Sequence, residues 1–256
     1  MRHALVTGAG SGIGRVIALE LAKAGHAVSL AGRRAEPLDV VADEIRGAGG
    51  QALVLQGFDV TDQGSVTAGV AKAVGEQGEI AVLVNCAGEA PSAPFEKTGV
   101  DVWNRVLGIN LTGTFLVTQA VLPSLRKARS GRIVNIASTA GLVGYAYVAA
   151  YVASKHGVIG LTRALALELA KTDITVNAVC PGFTDTPLLD GAVDVITAKT
   201  GRTADEARAS LARSNPQGRL VTPQDVAASV LWLVSPGARS ITGQAIVVAG
   251  GEVMVG

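Results

Sequence analysis

Seven short aliphatic runs recur along the chain, most of them separated by a segment of helix length, and this alternation restricts the possible folds more than any other feature. The runs fall at 4–6, 27–30, 52–55, 80–84, 132–136, 174–179 and 245–248. They are continuously apolar rather than alternating, the pattern of parallel strands covered on both faces. Between them, 15–24, 37–48, 65–75, 102–127, 151–171 and 222–234 carry amphipathic helical patterns, and Thr222-Pro223-Gln224-Asp225 supplies a cap, a first-turn proline and an acid three residues on. The expectation is a doubly wound α/β fold with a seven-stranded parallel sheet, helices on both faces and a single domain over 1–256. One stretch breaks the rhythm. Residues 183–217 exceed the usual αβ connection of ~2–6 residues and carry their own capping-box signal, Thr203-Ala204-Asp205-Glu206, for a short helix to Arg213. Such an insertion suits a lid over a ligand site.

Composition narrows the partners. Of 256 residues, 48% are hydrophobic, 22 are Lys or Arg and 21 are Asp or Glu, with the positive charges scattered, so a phosphate-backbone binder is not expected. The two cysteines, Cys86 and Cys180, have no metal-ligand spacing, which speaks against a disulfide framework or a zinc site. A reducing, cytoplasmic setting fits them. The N-terminus reaches a glycine turn at Gly8 too early for a signal-peptide core. The uncharged stretch 133–154 contains Asn135, Ser138, Thr139, Gly141 and Gly144, costly in lipid, and reads as strand, loop and helix start, so no membrane partner is expected. The basic cluster Arg126, Lys127, Arg129 and Arg132 closes a helix before a strand, at the end of the sheet away from a cofactor crevice, where cations are favourable without a ligand.

Thr7-Gly8-Ala9-Gly10-Ser11-Gly12-Ile13-Gly14 follows the first run and opens the first helix. Glycine there permits a sharp turn, a close approach of pyrophosphate and tight helix–sheet packing, while the helix start offers N–H groups to phosphate. In this strand–turn–helix setting the loop reads as a dinucleotide site of the Rossmann type. Farther on, Asn85-Cys86-Ala87-Gly88 closes the fourth run, Asn110 lies in the long helix, Ser138 ends the fifth run, and Tyr151 precedes Lys155 by four residues. That last spacing puts phenol and ammonium on one helix face.

With these motifs the chain resembles the short-chain dehydrogenase/reductases, single-domain NAD(P)-dependent oxidoreductases, and among them the 3-oxoacyl thioester and polyketide ketoreductases. The resemblance runs from the glycine loop to Pro181-Gly182 and Ile241-Thr242-Gly243-Gln244. It implies Tyr151 as proton donor to a carbonyl or acceptor from an alcohol, Ser138 as hydrogen-bonding partner of the same oxygen, Lys155 as holder of the nicotinamide ribose, and Asn110 as anchor of a water relay. It also implies cofactor contacts at Gly8, Ser11, Gly12, Ile13, Gly14, Asp59, Val60, Asn85, Ala87, Gly88, Pro181, Gly182, Thr184 and Thr186. A phenol of pKa ~10 works near neutrality only beside positive charge, which Lys155 would supply. Neither Tyr145 nor Tyr147 has a lysine four residues later, and His156 faces away from Lys155. Cys86 stands where the family commonly has a second asparagine.

Coenzyme choice rests on Ala31-Gly32-Arg33-Arg34, about 20 residues past the loop, where an acid would bind the ribose hydroxyls of NAD. Gly32 holds that place, and Arg33 with Arg34 suits a 2′-phosphate, so NADP(H) is expected over NAD(H). The expected partners are a small carbonyl or alcohol substrate and further copies of the chain, as a homodimer or homotetramer. Alternatives are an NAD-dependent secondary-alcohol or 3-hydroxyacyl-CoA dehydrogenase and a non-catalytic nucleotide sensor. Leu188, Leu189, Val193, Val195 and Ile196 suggest an apolar lid face.

Overall fold

The seven aliphatic runs coincide with the strands of the computed structural model, apart from Ile174 just before the sixth, and the structure describes residues 2–128 and 130–254. In chain order the elements are β1 (His3–Thr7), α1 (Gly12–Lys23), β2 (Ala27–Gly32), α2 (Ala35–Gly47), β3 (Gln51–Gln56), α3 (Gln63–Gln77), β4 (Ile80–Asn85), α4 (Val100–Leu107), α5 (Gly113–Lys127), β5 (Arg132–Ile136), α6 (Ala149–Glu168), β6 (Thr175–Pro181), α7 (Pro187–Thr200), α8 (Ala204–Ala212), α9 (Pro223–Val234) and β7 (Ala245–Val248). The strands form one parallel sheet in the order β3-β2-β1-β4-β5-β6-β7. Strand order therefore reverses between β1 and β4, and a crevice opens there beyond the carboxyl ends of the strands.

Continuous apolar strands are explained by cover on both faces. Val6, Val28 and Val84 point to one side, against Ile17 and Leu21 of α1 and Val230 and Leu233 of α9. Leu5, Leu83 and Ile133 point to the other, against Val117, Val121 and Leu125 of α5. The helical run 100–127 is long and apolar enough to cross a membrane, yet this inner face of α5 is fully buried, as in a core helix. It is also not one regular helix. A π turn over Gly108–Thr112 separates α4 from α5, and Asn110 sits in it.

Both capping boxes form: Thr203 with Glu206 opens α8, and Thr222 with Asp225 opens α9. Helix α7, between them and the end of β6, carries no capping box. Residues 183–217 hold two helices rather than the one expected, because Thr186 makes no side-chain cap and the apolar positions are spread around α7. Its legible signals are Pro187 at the first helical position and Gly201 at φ 69° just past the end. In the basic cluster, Lys127 pairs with Glu79 at 3.4 Å, and buried Arg132 donates to the carbonyls of Gly131 and Asp173. Arg129 lies outside the described residues.

The start of α1 is set by a backbone approach that only glycine allows. A Cβ on Gly14 would lie 2.4 Å from the carbonyl oxygen of Gly8. Gly14→Ala is therefore expected to displace the helix from the strand and lower stability by about 1–3 kcal/mol, the usual range for overpacking. Urea unfolding of the two proteins at one pH checks this, and an unchanged midpoint would contradict it.

Candidate active site

The crevice begins with the turn after β1. Gly8 sits at φ +67° and donates its N–H to Ala31 O at 2.9 Å, and a Cβ there would meet Ala87 Cα at 3.0 Å. Thr7 stitches this turn to the end of β4: its hydroxyl oxygen accepts from the N–H groups of Cys86 and Ala87 at 3.0 and 3.1 Å. Helix α1 then starts with Ser11 in extended conformation and no side-chain cap. The first-turn N–H groups of Gly12, Ile13 and Gly14 have no acceptor within the helix and remain available to an anion. This cradle fits the pyrophosphate of a dinucleotide.

Two cavities adjoin at Gly8 and Ser11. The smaller, about 220 Å³, is lined by Gly32, Arg33, Arg34, Asp59 and Val60 at the ends of β2 and β3, and by Ala87, Gly88 and Glu89 beyond β4. Arg33 and Arg34 are exposed there. The Asp59 carboxyl accepts from the N–H and hydroxyl of Thr61 at 2.9 and 2.8 Å; these bonds, with Arg33 adding to them, hold it below the usual carboxylate range. The larger cavity, about 780 Å³, brings together Gly12, Ile13, Gly14, Ser138, Tyr151, Lys155, Pro181, Gly182, Thr184 and Thr186.

Within the larger cavity, Ser138 lies two residues beyond β5 and opens the tight turn Thr139–Gly141. Its oxygen accepts from the N–H of Ala140 at 3.1 Å, its hydroxyl makes a long 3.5 Å contact to Pro181 O, and it also faces the Tyr151 phenol. Lys155, buried on α6, donates to Ile136 O at 2.7 Å, and its Nζ is 5.6 Å from the centre of the Tyr151 ring. Asn110 stands behind this wall: a Cβ on Gly88 would lie 3.2 Å from Asn110 Oδ1 and 3.8 Å from Lys155 Nζ. The Asn110 amide donates to Ser154 Oγ and Glu89 O, both at 3.0 Å, and its oxygen accepts from Glu89 N at 2.9 Å. Asn85 also falls outside both cavities. Its amide donates to Asn135 Oδ1 at 2.9 Å and Thr118 Oγ1 at 3.0 Å inside the sheet, and Asn135 in turn donates to Thr162.

Burial dominates the electrostatics. It pushes the Tyr151 phenol above its ordinary value, with the Ser138 hydroxyl pulling the other way, and it lowers the Lys155 ammonium to about 8. The same cause raises Cys86 to about 12 and Cys180 to about 11, so neither thiol ionises near neutrality. With its value raised above the ordinary one, Tyr151 is a neutral acid rather than a phenolate near neutrality.

Other residues of the cavity wall escaped the sequence reading. Tyr145 donates to Glu252 Oε1 at 2.6 Å and meets Thr139 Oγ1 at 2.9 Å, while its ring stands edge-on to Phe183 with centroids 5.9 Å apart. Burial first, then the Glu252 carboxylate, raises its phenol to about 12. Tyr147 has φ 68°, and Lys199 Nζ lies 5.8 Å from its ring centre. Local sequence patterns hold no signal for these pairings, which cross 107 and 52 residues of chain.

The family model described as short chain dehydrogenase matches residues 2–195. The chain belongs to the short-chain dehydrogenase family. Among relatives in that family, a putative ketoacyl reductase of Streptomyces coelicolor is 43% identical over 250 residues, covering 97% of this chain and 95% of the relative. Equally similar, at 43% over 255 residues and 99% and 97% coverage, is a cis-4-hydroxycyclohexanecarboxylate dehydrogenase of Sinomonas cyclohexanicum. The crystal structure of a variant of actinorhodin polyketide ketoreductase with NADPH superimposes with a TM-score of 0.94 at 42% identity, covering 98% of this chain and 97% of that one.

A buried ammonium with lowered pKa has a signed consequence for this dehydrogenase. The cost of charging Lys155 is fully present below about pH 8 and fades as pH rises from there toward the ordinary lysine value. Lys155→Met is therefore expected to stabilise the fold at pH 7 and to lose that advantage by pH 10. Paired urea titrations at the two pH values measure it; a variant no more stable than wild type at pH 7 would contradict the burial cost.

Proposed function

We propose that the protein is an NADP(H)-dependent reductase interconverting a ketone and a secondary alcohol, with 3-oxoacyl thioesters as the favoured carbonyl class. The observation that carries this reading is the convergence of Ser138, Tyr151 and Lys155 on one wall of the cavity that also contains the uncapped start of α1. NADPH, when bound, supplies the hydride. Neutral Tyr151 gives its proton to the carbonyl oxygen, and in the reverse direction a base form of the same phenol takes it from the alcohol. Ser138, whose contact to Pro181 is long and which already faces the Tyr151 phenol, donates to that oxygen and fixes its angle. Lys155 holds the ribose hydroxyls and contributes positive charge beside the phenol, and Asn110 positions the wall behind it.

NADP(H) is assigned from Arg33 and Arg34 at the end of β2, where no acid occupies position 32. The relatives named as ketoacyl reductases and the NADPH complex support the same choice. The hydroxycyclohexanecarboxylate dehydrogenase at equal identity supports alcohol oxidation as a second reading of direction and substrate. Residues 183–217 serve as the lid. Exposed Phe115 on α5 and Leu167 on α6 support pairing of these helices between copies as a homodimer or homotetramer, and two free cysteines suit a cytosolic setting.

NADPH consumption with a panel of simple ketones and 3-oxoacyl thioesters tests the reading. Tyr151→Phe keeps the ring and removes the proton, so turnover should fall at least ~10²-fold; near-native turnover would remove Tyr151 from the mechanism. For the coenzyme, Arg33→Ala should weaken NADP(H) roughly ten- to hundredfold and leave NAD(H) nearly unchanged, the scale of a bond to a charged group. A side chain at Gly32 meets only Leu38 at 3.5 Å, so adding Gly32→Asp is tolerated and should make the double variant prefer NAD. Equal weakening of both coenzymes in fluorescence titrations would overturn the phosphate assignment.

A further inference from the structure

The larger cavity extends well past the catalytic wall, and its far rim has a charge that the proposed reduction does not use. Among the described residues, no Asp or Glu lines the cavity, and its cationic side chains are Lys155 and Lys199. Lys199 is exposed in the last turn of α7. The nearby carboxylates of Asp185 and Asp190 are both held by Arg208 of α8, so they are not competitors for it.

Position along α7 shows which ligand Lys199 could serve. The start of the helix packs at the phosphate turn, with Thr186 Cγ2 3.4 Å from where a Gly12 Cβ would be. Lys199 is 12 residues past Pro187, about 18 Å farther along the axis at ~1.5 Å per residue. The coenzyme pyrophosphate is therefore out of its reach. Its neighbour is instead Tyr147, four residues before Tyr151 on the substrate side.

Tyr147 is held there against its own preference. Among the described residues it is the one non-glycine in the left-handed region, at φ 68°, a costly conformation for a bulky side chain. Its carbonyl accepts from the N–H of Ala93 at 2.8 Å, which fixes the turn, yet the residue remains 63% exposed, so burial does not offset the strain. What the strained turn achieves is a ring under the Lys199 ammonium at the cavity mouth. A cation over a ring face keeps its outer N–H groups free for an anion.

We propose that Lys199, seated over Tyr147, is a subsite for an anionic group carried by the substrate at the end remote from the reacting carbonyl. The chemistry is that of a carboxylate or a phosphate monoester or diester. This rests on the reductase reading of the same cavity, and two sources meet it: the carboxylate of an oxo acid and the phosphate of a pantetheine thioester.

The test uses matched pairs of ligands with and without the charge: an oxo carboxylate against its methyl ester, and a 3-oxoacyl phosphopantetheine thioester against the same thioester of dephosphorylated pantetheine. Wild type, Lys199→Ala, Lys199→Glu and Lys199→Arg are compared by calorimetric binding in the presence of NADP and by steady-state kinetics. Binding of at least one charged ligand should weaken about tenfold or more in Lys199→Ala, further in Lys199→Glu, and recover in Lys199→Arg. The uncharged partner should bind all four proteins alike, and kcat should hold while KM moves. Sensitivity confined to one pair identifies which anion is the native one. If neither charged ligand responds, or if charged and uncharged partners weaken together, the subsite is refuted. Failure of every carbonyl to be reduced would strike the reductase reading, while the calorimetric comparison would still decide the role of Lys199.

Discussion

The site depends on how closely α1 approaches β1. With hydrogen at Gly14, the helix begins against the Gly8 carbonyl, and its unsatisfied N–H groups face the crevice where strand order reverses. Thr7 ties that same turn to the end of β4, so the two walls of the crevice are joined by hydrogen bonds rather than by loose packing. The uncapped Ser11 follows from the same arrangement. A helix start that satisfied itself would have nothing left for an anion.

Burial sets the protonation state of the Tyr151–Lys155 pair. Tyr151 and Lys155 share one buried helix face, and each is pushed toward its neutral form. For reduction this is favourable, since a neutral phenol is a proton donor. With its value at about 8, the Lys155 ammonium still carries most of its charge at neutrality, beside the Tyr151 ring.

Much of the fold was legible because strand and helix periodicity are local properties. The seven apolar runs matched the strands of the sheet, and the two capping boxes announced α8 and α9. The π turn at Asn110 was not legible, since it is one extra residue in a helical pattern that otherwise continues. Helix α7 was missed for a related reason: its apolar residues do not line one face, because some pack against α8 and others line the cavity. Of the residues singled out by motif spacing, Ser138, Tyr151 and Lys155 line one cavity, whereas the Asn85 amide bonds within the sheet. Contacts such as Tyr145 with Glu252 and Tyr147 with Lys199 come from the closing of the chain and have no local trace.

The amide ladder that occupies Asn85 has a consequence of its own. Parallel strands of uniformly aliphatic residues specify their alignment poorly, since a shifted strand still buries hydrocarbon. Asn85 opposite Asn135, with Thr118 and Thr162 completing the chain of donors, removes that degeneracy between β4 and β5. A slip of one residue would strand buried amides without partners, at about 1–3 kcal/mol for each unsatisfied group. The centre of the sheet thereby carries a registration mark, and misaligned pairings formed early in folding are driven apart by polarity rather than by shape.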